Sequence, residues 1–461
     1  MRNNLCILQS MQPFHTMEAA DLYDLFLSDN DNIDNQYCSL DIDDFQKLVI
    51  EFIRNKDIKD GTSLCFQVFC KYMSHSIHQK TFQCEYPELS IVLKGIQHLQ
   101  KALKFSSSLF FSYLIEEFVT LPVEILWWLH KNDIIYFVPY CYHSKFVSLP
   151  ESLLTYIAAK KQHSIFIYNE IVPDLIAELL RHAHTPTRLF HLPYHTEWKS
   201  YCRTVLNKMV DSVLDVIFCN RSESFLNFFC YIQNLDVLLP RALVKDFFKT
   251  ILKKLMSYNI DEFDVYSAYT YQELWKSNRI SSNLFITLKE IFIKHCIFQD
   301  IIDIIEDLDG KVNWKYTLVA VAVCVKESPS GSDDAKDVIS QLLQQYLKKP
   351  KFCSFIKCLL FVRQTCMEEN FKMDYPAWYS LTFGSRSNFK RKCSEAKFKL
   401  LISALIELVQ YESDDYLKVQ LSLSLDAPLM CNYLVHNYKS LCKARLNELD
   451  KSPSVSYWST T

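Results

Sequence analysis

Apolar residues recur at every third and fourth position along nearly the whole chain, which is the period of a helix and not of a strand. Between 42 and 55, Phe45, Leu48, Val49, Phe52 and Ile53 share one helical face, with Asp41 placed to cap it. The same spacing predicts helices over 63–80, 87–104 (opened by Pro87), 107–119, 122–131, 150–161 and 164–182. After a loop at 185–196 carrying Pro186 and Pro193, it predicts 197–218, 222–234, 239–257, 261–277 and 282–307. The last set is 313–326, 335–348, 351–369, 394–411 and 428–448. Pro173 is expected to kink or split its helix, because proline removes a backbone donor and crowds the preceding turn. The fold class is therefore all-α: an irregular α-solenoid or multi-helix bundle of roughly twenty helices, paired without a fixed repeat signature.

The pattern divides the chain into an extension at 1–16, a helical lobe at 17–326, a second lobe at 336–450 and a disordered tail at 451–461. The Ser/Gly/Asp stretch 327–335 is the expected break between lobes, and it and Asp29–Gln36 are expected to be disordered.

Composition sharpens this reading. Only 5 glycines are present, at Gly61, Gly95, Gly310, Gly331 and Gly384, so no Gly-rich phosphate loop or dinucleotide fingerprint exists. The 32 Phe and 26 Tyr fill the interior instead. The 17 cysteines sit at irregular spacings inside apolar runs, which predicts buried, reduced thiols in the cytosol or nucleus. Met1–Thr16 lacks the uninterrupted apolar core of a secretory signal. The longest uncharged apolar run in a predicted helix, Thr317–Val325, ends at Lys326, short of the ~18 residues a membrane helix needs. The net charge of -3 hides two poles. Residues 18–60 carry 12 acids against 4 bases, and 386–399 carry 6 bases against one acid.

Candidate chemistry is sparse. His182, His184, His191 and His195, with Cys202, cluster in the Pro-rich loop region but match no zinc-finger spacing. Cys65, Cys70, His75 and His78 do not converge, because on a helix only His75 and His78 share a face. Asp307, Asp309 and Gly310 imitate part of a calcium loop, yet Ile305 and Tyr316 stand where oxygen ligands belong. No HExxH, GxSxG or kinase signature occurs. The expectation is a non-enzymatic protein with no cofactor and no metal.

Binding features are more numerous. Arg241, Lys245, Lys249 and Lys253 step by four along one helix, a basic stripe for phosphates or an acidic partner, or a solvated face. Arg386, Lys390, Arg391 and Lys392 interleave with Phe389 and Phe398, which suits weak nucleic-acid contact, although Phe398 is in core register with Leu401 and Leu405. Ile302-Asp303-Ile304-Ile305-Glu306-Asp307 matches a SUMO-binding pattern, but the same isoleucines make a helical face, so SUMO binding is doubtful. Adjacent Trp127 and Trp128 diverge by about 100° on a helix, and Tyr375 and Trp378 flank Pro376 in an expected non-helical connection. These four are partner-contact candidates, with the chain's own core as the alternative.

Leu121–Leu129 (LPVEILWWL), Tyr375-Pro376-Ala377-Trp378-Tyr379 and the helical texture of the whole chain resemble the helical domain of the SUMO-interacting-motifs-containing protein and SMC-complex localisation factor family. That resemblance implies a nuclear scaffold that pairs with a second helical subunit as a heterodimer. It also implies recruitment of the Smc five–six genome-maintenance complex to chromatin or viral DNA, with roles in DNA repair and viral restriction. Two other readings stand beside it: a helical adaptor for an RNA or kinase assembly, and a metal hydrolase built on the 182–195 histidine loop.

Overall fold

In the computed structural model, the described residues are 114–115, 121–132, 134–159, 165–184, 195–218, 227–232, 235–260, 264–277, 282–349, 351–384, 387 and 393–451. The expectations for 1–16, 29–36, 42–55, 63–80 and 87–104 lie outside them. The described residues are all-α, with no strand among them. The helices are α1 (Val123–Lys131), α2 (Phe137–His143), α3 (Leu149–Ala159), α4 (Ile165–His184), α5 (His195–Phe218) and α6 (Asn227–Ile232). They continue with α7 (Leu235–Leu238), α8 (Arg241–Met256), α9 (Val265–Ser277), α10 (Ser282–Lys294), α11 (Phe298–Asp307) and α12 (Trp314–Glu327). The last are α13 (Gly331–Lys348), α14 (Phe352–Cys366), α15 (Tyr375–Phe383), α16 (Glu395–Leu408), α17 (Asp414–Ser422) and α18 (Asn432–Lys451). Short 3₁₀ turns occupy Glu369–Phe371, Val409–Tyr411 and Leu429–Cys431.

The chain forms two compact units, Met1–Met209 and Val210–Thr461. In the first, α4 is the spine. Its buried face of Ile171, Leu175, Ile176 and Leu179 receives α1 and α2. Pro173 is accommodated inside α4, which runs unbroken from Ile165 to His184 rather than splitting.

In the second unit α12 and α14 form the centre. α12 packs against α10, α14, α13, α9 and α11. It buries Leu318, Ala320, Val321, Val323, Cys324 and Val325, as a helix surrounded by others must. Asn313 ties the unit together from a fully buried position: its Nδ2 donates to Tyr258 O (3.0 Å) and Asn259 O (3.1 Å), while its Oδ1 accepts from Tyr316 N (3.3 Å). One side chain thereby satisfies carbonyls just past the end of α8 and the first turn of α12.

Several sequence expectations need correction. The single helix expected over 282–307 is two, α10 and α11, because Ile297 is extended and the Asp300 carboxylate accepts its amide (2.9 Å), starting a new helix. The 327–335 stretch falls within the second unit and is already helical from Gly331. There a Cβ would stand 2.1 Å from Cys324 O, so glycine permits the tight α12–α13 corner. The 375–379 segment is not a loop but α15, capped by Asp374, whose Oδ1 accepts Ala377 N (2.8 Å), with Pro376 in the first turn.

Candidate interaction surfaces

The basic stripe is an ion-pair ladder. α8 and α11 lie side by side, and each lysine meets an aspartate one step along. Lys245 pairs with Asp300 (3.0 Å), Lys249 with Asp303 (2.9 Å) and Asp300 (3.5 Å), and Lys253 with Asp307 (3.5 Å). Asp300 is the buried member and also caps α11. Partial burial opposes the charge on Lys249, but the hydrogen bond it donates to Asp303 and the charges of both aspartates win and raise its pKa. The lysines of the stripe are thus largely neutralised within the chain; Arg241, at its start, is exposed. Two of these acids, Asp303 and Asp307, belong to the SUMO-like segment, whose Ile302, Ile304 and Ile305 are buried in α11. A buried helix face is not free to add a strand to another protein's sheet.

The aromatic candidates separate. Tyr375 and Trp378 are buried, stacked at 5.8 Å between ring centres, with Tyr416 edge-on to Tyr375 at 4.8 Å. That pair is spent on the chain's own packing. Trp127 and Trp128 are half-buried. The Trp127 indole donates to Asp174 (2.9 Å), which Lys131 also reaches (3.1 Å), with Lys131 over the Trp127 ring. One turn further along α4, Glu178 accepts from Arg181 (2.8 Å), lies 3.1 Å from His182 and is 4.0 Å from His130. Burial would raise the Glu178 pKa, but hydrogen bonds from His182 and Arg181 and the two histidine charges hold it at about 2.

Among the described residues no group of three or more His, Cys, Asp or Glu could hold an ion. His182 is engaged by Glu178, His184 ends α4, His195 begins α5, and His191 lies outside the described residues, as do Cys65, Cys70, His75 and His78. Burial pushes the Cys202 thiol up to about 12. At the calcium-like turn a Cβ on Gly310 would stand 2.7 Å from the Lys357 ammonium, a cation and not an oxygen ligand. The basic residues Arg386, Lys390, Arg391 and Lys392 lie outside the described residues, and Phe398 is buried with Leu401 and Leu405.

Sequence reasoning missed the most tightly built cluster. Arg363 of α14 is fully buried, and its Nη2 donates to both Glu412 carboxylate oxygens and to Tyr269 Oη, each at 2.7 Å. The guanidinium carbon lies 3.9 Å and 4.1 Å from the ring centres of Tyr416 and Tyr269. Tyr269 Oη (2.6 Å) and Gln420 Nε2 (2.7 Å) donate to Glu412 as well. The cluster joins α9, α14 and α17 through the chain's own groups and offers no open face.

A comparison of families decides what this helical array is. The family described as "Fanconi anaemia group A protein N terminus" matches residues 73–452, most of the chain. The chain belongs to the Fanconi anaemia group A protein N-terminal family. The human Fanconi anemia group A protein is 29% identical over 143 residues, which is 31% of this chain and 10% of that protein. The mouse homologue is 27% identical over 143 residues, with the same coverage. The match thus spans about a tenth of the length of these curated relatives. Membership of the Fanconi group A family overturns the resemblance to SMC-complex localisation factors, and with it the recruitment of the Smc five–six complex. SUMO binding and viral restriction have no support from the family. The LPVEILWWL and YPAWY stretches that suggested the resemblance lead into α1 and open α15, and both bury several large side chains, a texture crowded helical cores share. Neither the RNA or kinase adaptor nor the hydrolase gains from the Fanconi match.

Proposed function

We propose that this chain is a non-enzymatic, all-helical scaffold within a DNA-repair protein assembly, held in the nucleus by that assembly and acting through protein contacts. Membership of the Fanconi group A N-terminal family is the observation that carries this reading. The internal pairing of Lys245, Lys249 and Lys253 supports protein over nucleic acid as the ligand, since phosphate would have to displace three carboxylates. A second helical subunit suits an all-α chain, because helix faces pack readily against the faces of other helices. Among the described residues no helix is long and apolar enough to cross a membrane.

The test is cellular. Deleting this gene should sensitise its host to DNA damage, and the full chain restored from a plasmid should rescue survival. Normal survival of the deletion strain under damage by cross-linkers, alkylation and strand breaks would end the DNA-repair reading.

A further inference from the structure

The corner between α13 and α14 reads Lys348-Lys349-Pro350-Lys351. All three lysines are exposed, and among the described residues none has a carboxylate within ion-pair distance. The lysines of α8 differ in this, since each meets an aspartate. The sequence around the corner supplies no acid either: residues 338–367 hold five bases and none. Of the other two bases, Arg363 is spent on Glu412 inside the unit and Lys357 lies against Gly310.

Stability does not account for the three charges together. Lys348 and Lys349 end α13, where the helix dipole favours cations. Lys351 is the N-cap of α14, where the dipole disfavours them, and no acid stands in the first turn to offset it. Local rules broken in this way concentrate at functional sites. The corner is also held in place. The Lys349 amide donates to Gln345 O (2.9 Å) and the Phe355 amide to Lys351 O (3.3 Å). Beneath it the rings of Tyr346 and Phe355 are buried and stacked at 4.8 Å. Cys393, just before α16, is near enough to Tyr346 to interact with it electrostatically. That brings Lys397 of α16, half-buried and without an ion pair among the described residues, into the same neighbourhood.

We propose that this corner docks an acidic segment of a partner protein, its carboxylates against Lys348, Lys349 and Lys351. Complementary charge of this kind speeds encounter and selects the partner. Nucleic acid fits less well. A single strand wants exposed aromatic rings to stack its bases, and here Tyr346 and Phe355 are buried while Phe352 is half-buried against Tyr266. A duplex is held by roughly six to ten phosphate contacts, more than this corner offers. The inference rests on the scaffold reading in requiring that a protein partner exists.

The experiment places a photo-crosslinking amino acid at the exposed Gln345 of the full chain in cells, one turn before Lys349, and maps the crosslinked peptide. The expected product is one acidic segment of another protein. Its yield should fall about tenfold or more in a Lys348→Glu, Lys349→Glu, Lys351→Glu chain with an unchanged thermal transition, as losing three close charge pairs requires. Lys348→Gln, Lys349→Gln, Lys351→Gln should lower it too, without reversed charge. Lys443→Glu, at an exposed site on α18, is the control and should leave the yield unchanged. An equal fall in the control overturns the proposal, because net charge alone then explains the loss. So does a yield indifferent to the triple variants, or a crosslink to nucleic acid, to this chain's own residues or to a segment without acids. No crosslink from Gln345 while other proteins still co-purify overturns this surface alone; no co-purifying protein at all overturns the scaffold reading with it.

Discussion

Two sets of opposite charges in the second unit share a chemistry and differ in their surroundings. Arg363 and Glu412 meet with side chains 0% and 2% exposed, wrapped by Tyr269, Tyr375 and Tyr416. Lys245, Lys249 and Lys253 are 39%, 27% and 40% exposed, and of their aspartates only Asp300 is buried. In the interior, removing one partner strands an uncompensated charge, which costs several kcal/mol. At the surface, water and salt take over when a pair is lost. The buried pair therefore fixes how α9, α14 and α17 come together, and the ladder mainly decides what α8 can no longer bind.

The comparison breaks most visibly at Arg363. Arg363→Met or Glu412→Gln should each destabilise the second unit by about 3–5 kcal/mol, read from urea unfolding. The double variant Arg363→Met, Glu412→Met should recover part of that loss, since two matched apolar groups leave no orphaned charge. Single variants costing under about 1 kcal/mol would show that the cluster is wetter than its burial implies.

An intermediate effect is expected at Glu178 in the first unit. Its pKa falls on folding from 4.5 to about 2, so the stability it adds is fully present above pH 4.5 and drains away as pH drops toward 2. Glu178→Gln should lower stability at neutral pH and flatten the acid limb between those values. An acid limb identical in the two proteins would remove Glu178 from the account.

The smallest change is expected at the ladder. Lys253→Gln should cost about 0.2–1 kcal/mol, and converting Lys245 and Lys249 as well should cost more, because both pair with the buried Asp300. Raising salt should shrink the difference, because exposed charges are screened within roughly 10 Å. Converting all three to Glu should cost more, because each new carboxylate faces an aspartate. A salt-independent loss as large as that at Arg363 would place the ladder in the core instead.

Much of this was legible in the sequence and some was not. The 3.6 period located most helices within a few residues, since one-sided burial writes that period directly. It joined α10 to α11 because the apolar run hardly pauses at His295-Cys296-Ile297, and the break depends on Asp300 turning back to cap. α15 was missed because Tyr375–Phe383 is apolar nearly all round and opens on proline. The lysine stripe was plain, yet its neutralisation required knowing that α11 lies beside α8. The lone charge of Arg363 amid Leu359, Leu360, Phe361 and Val362 was the available signal for a buried pair. Its partner, 49 residues away, was not readable from spacing.

The central claim is that this helical array works by holding other proteins. Its most direct test is quantitative affinity purification of the full chain from nuclear extract after complete nuclease digestion, at rising salt. The account predicts a protein partner retained in fixed stoichiometry without nucleic acid. A chain recovered monomeric and alone, or partners released in full by the nuclease, would contradict it.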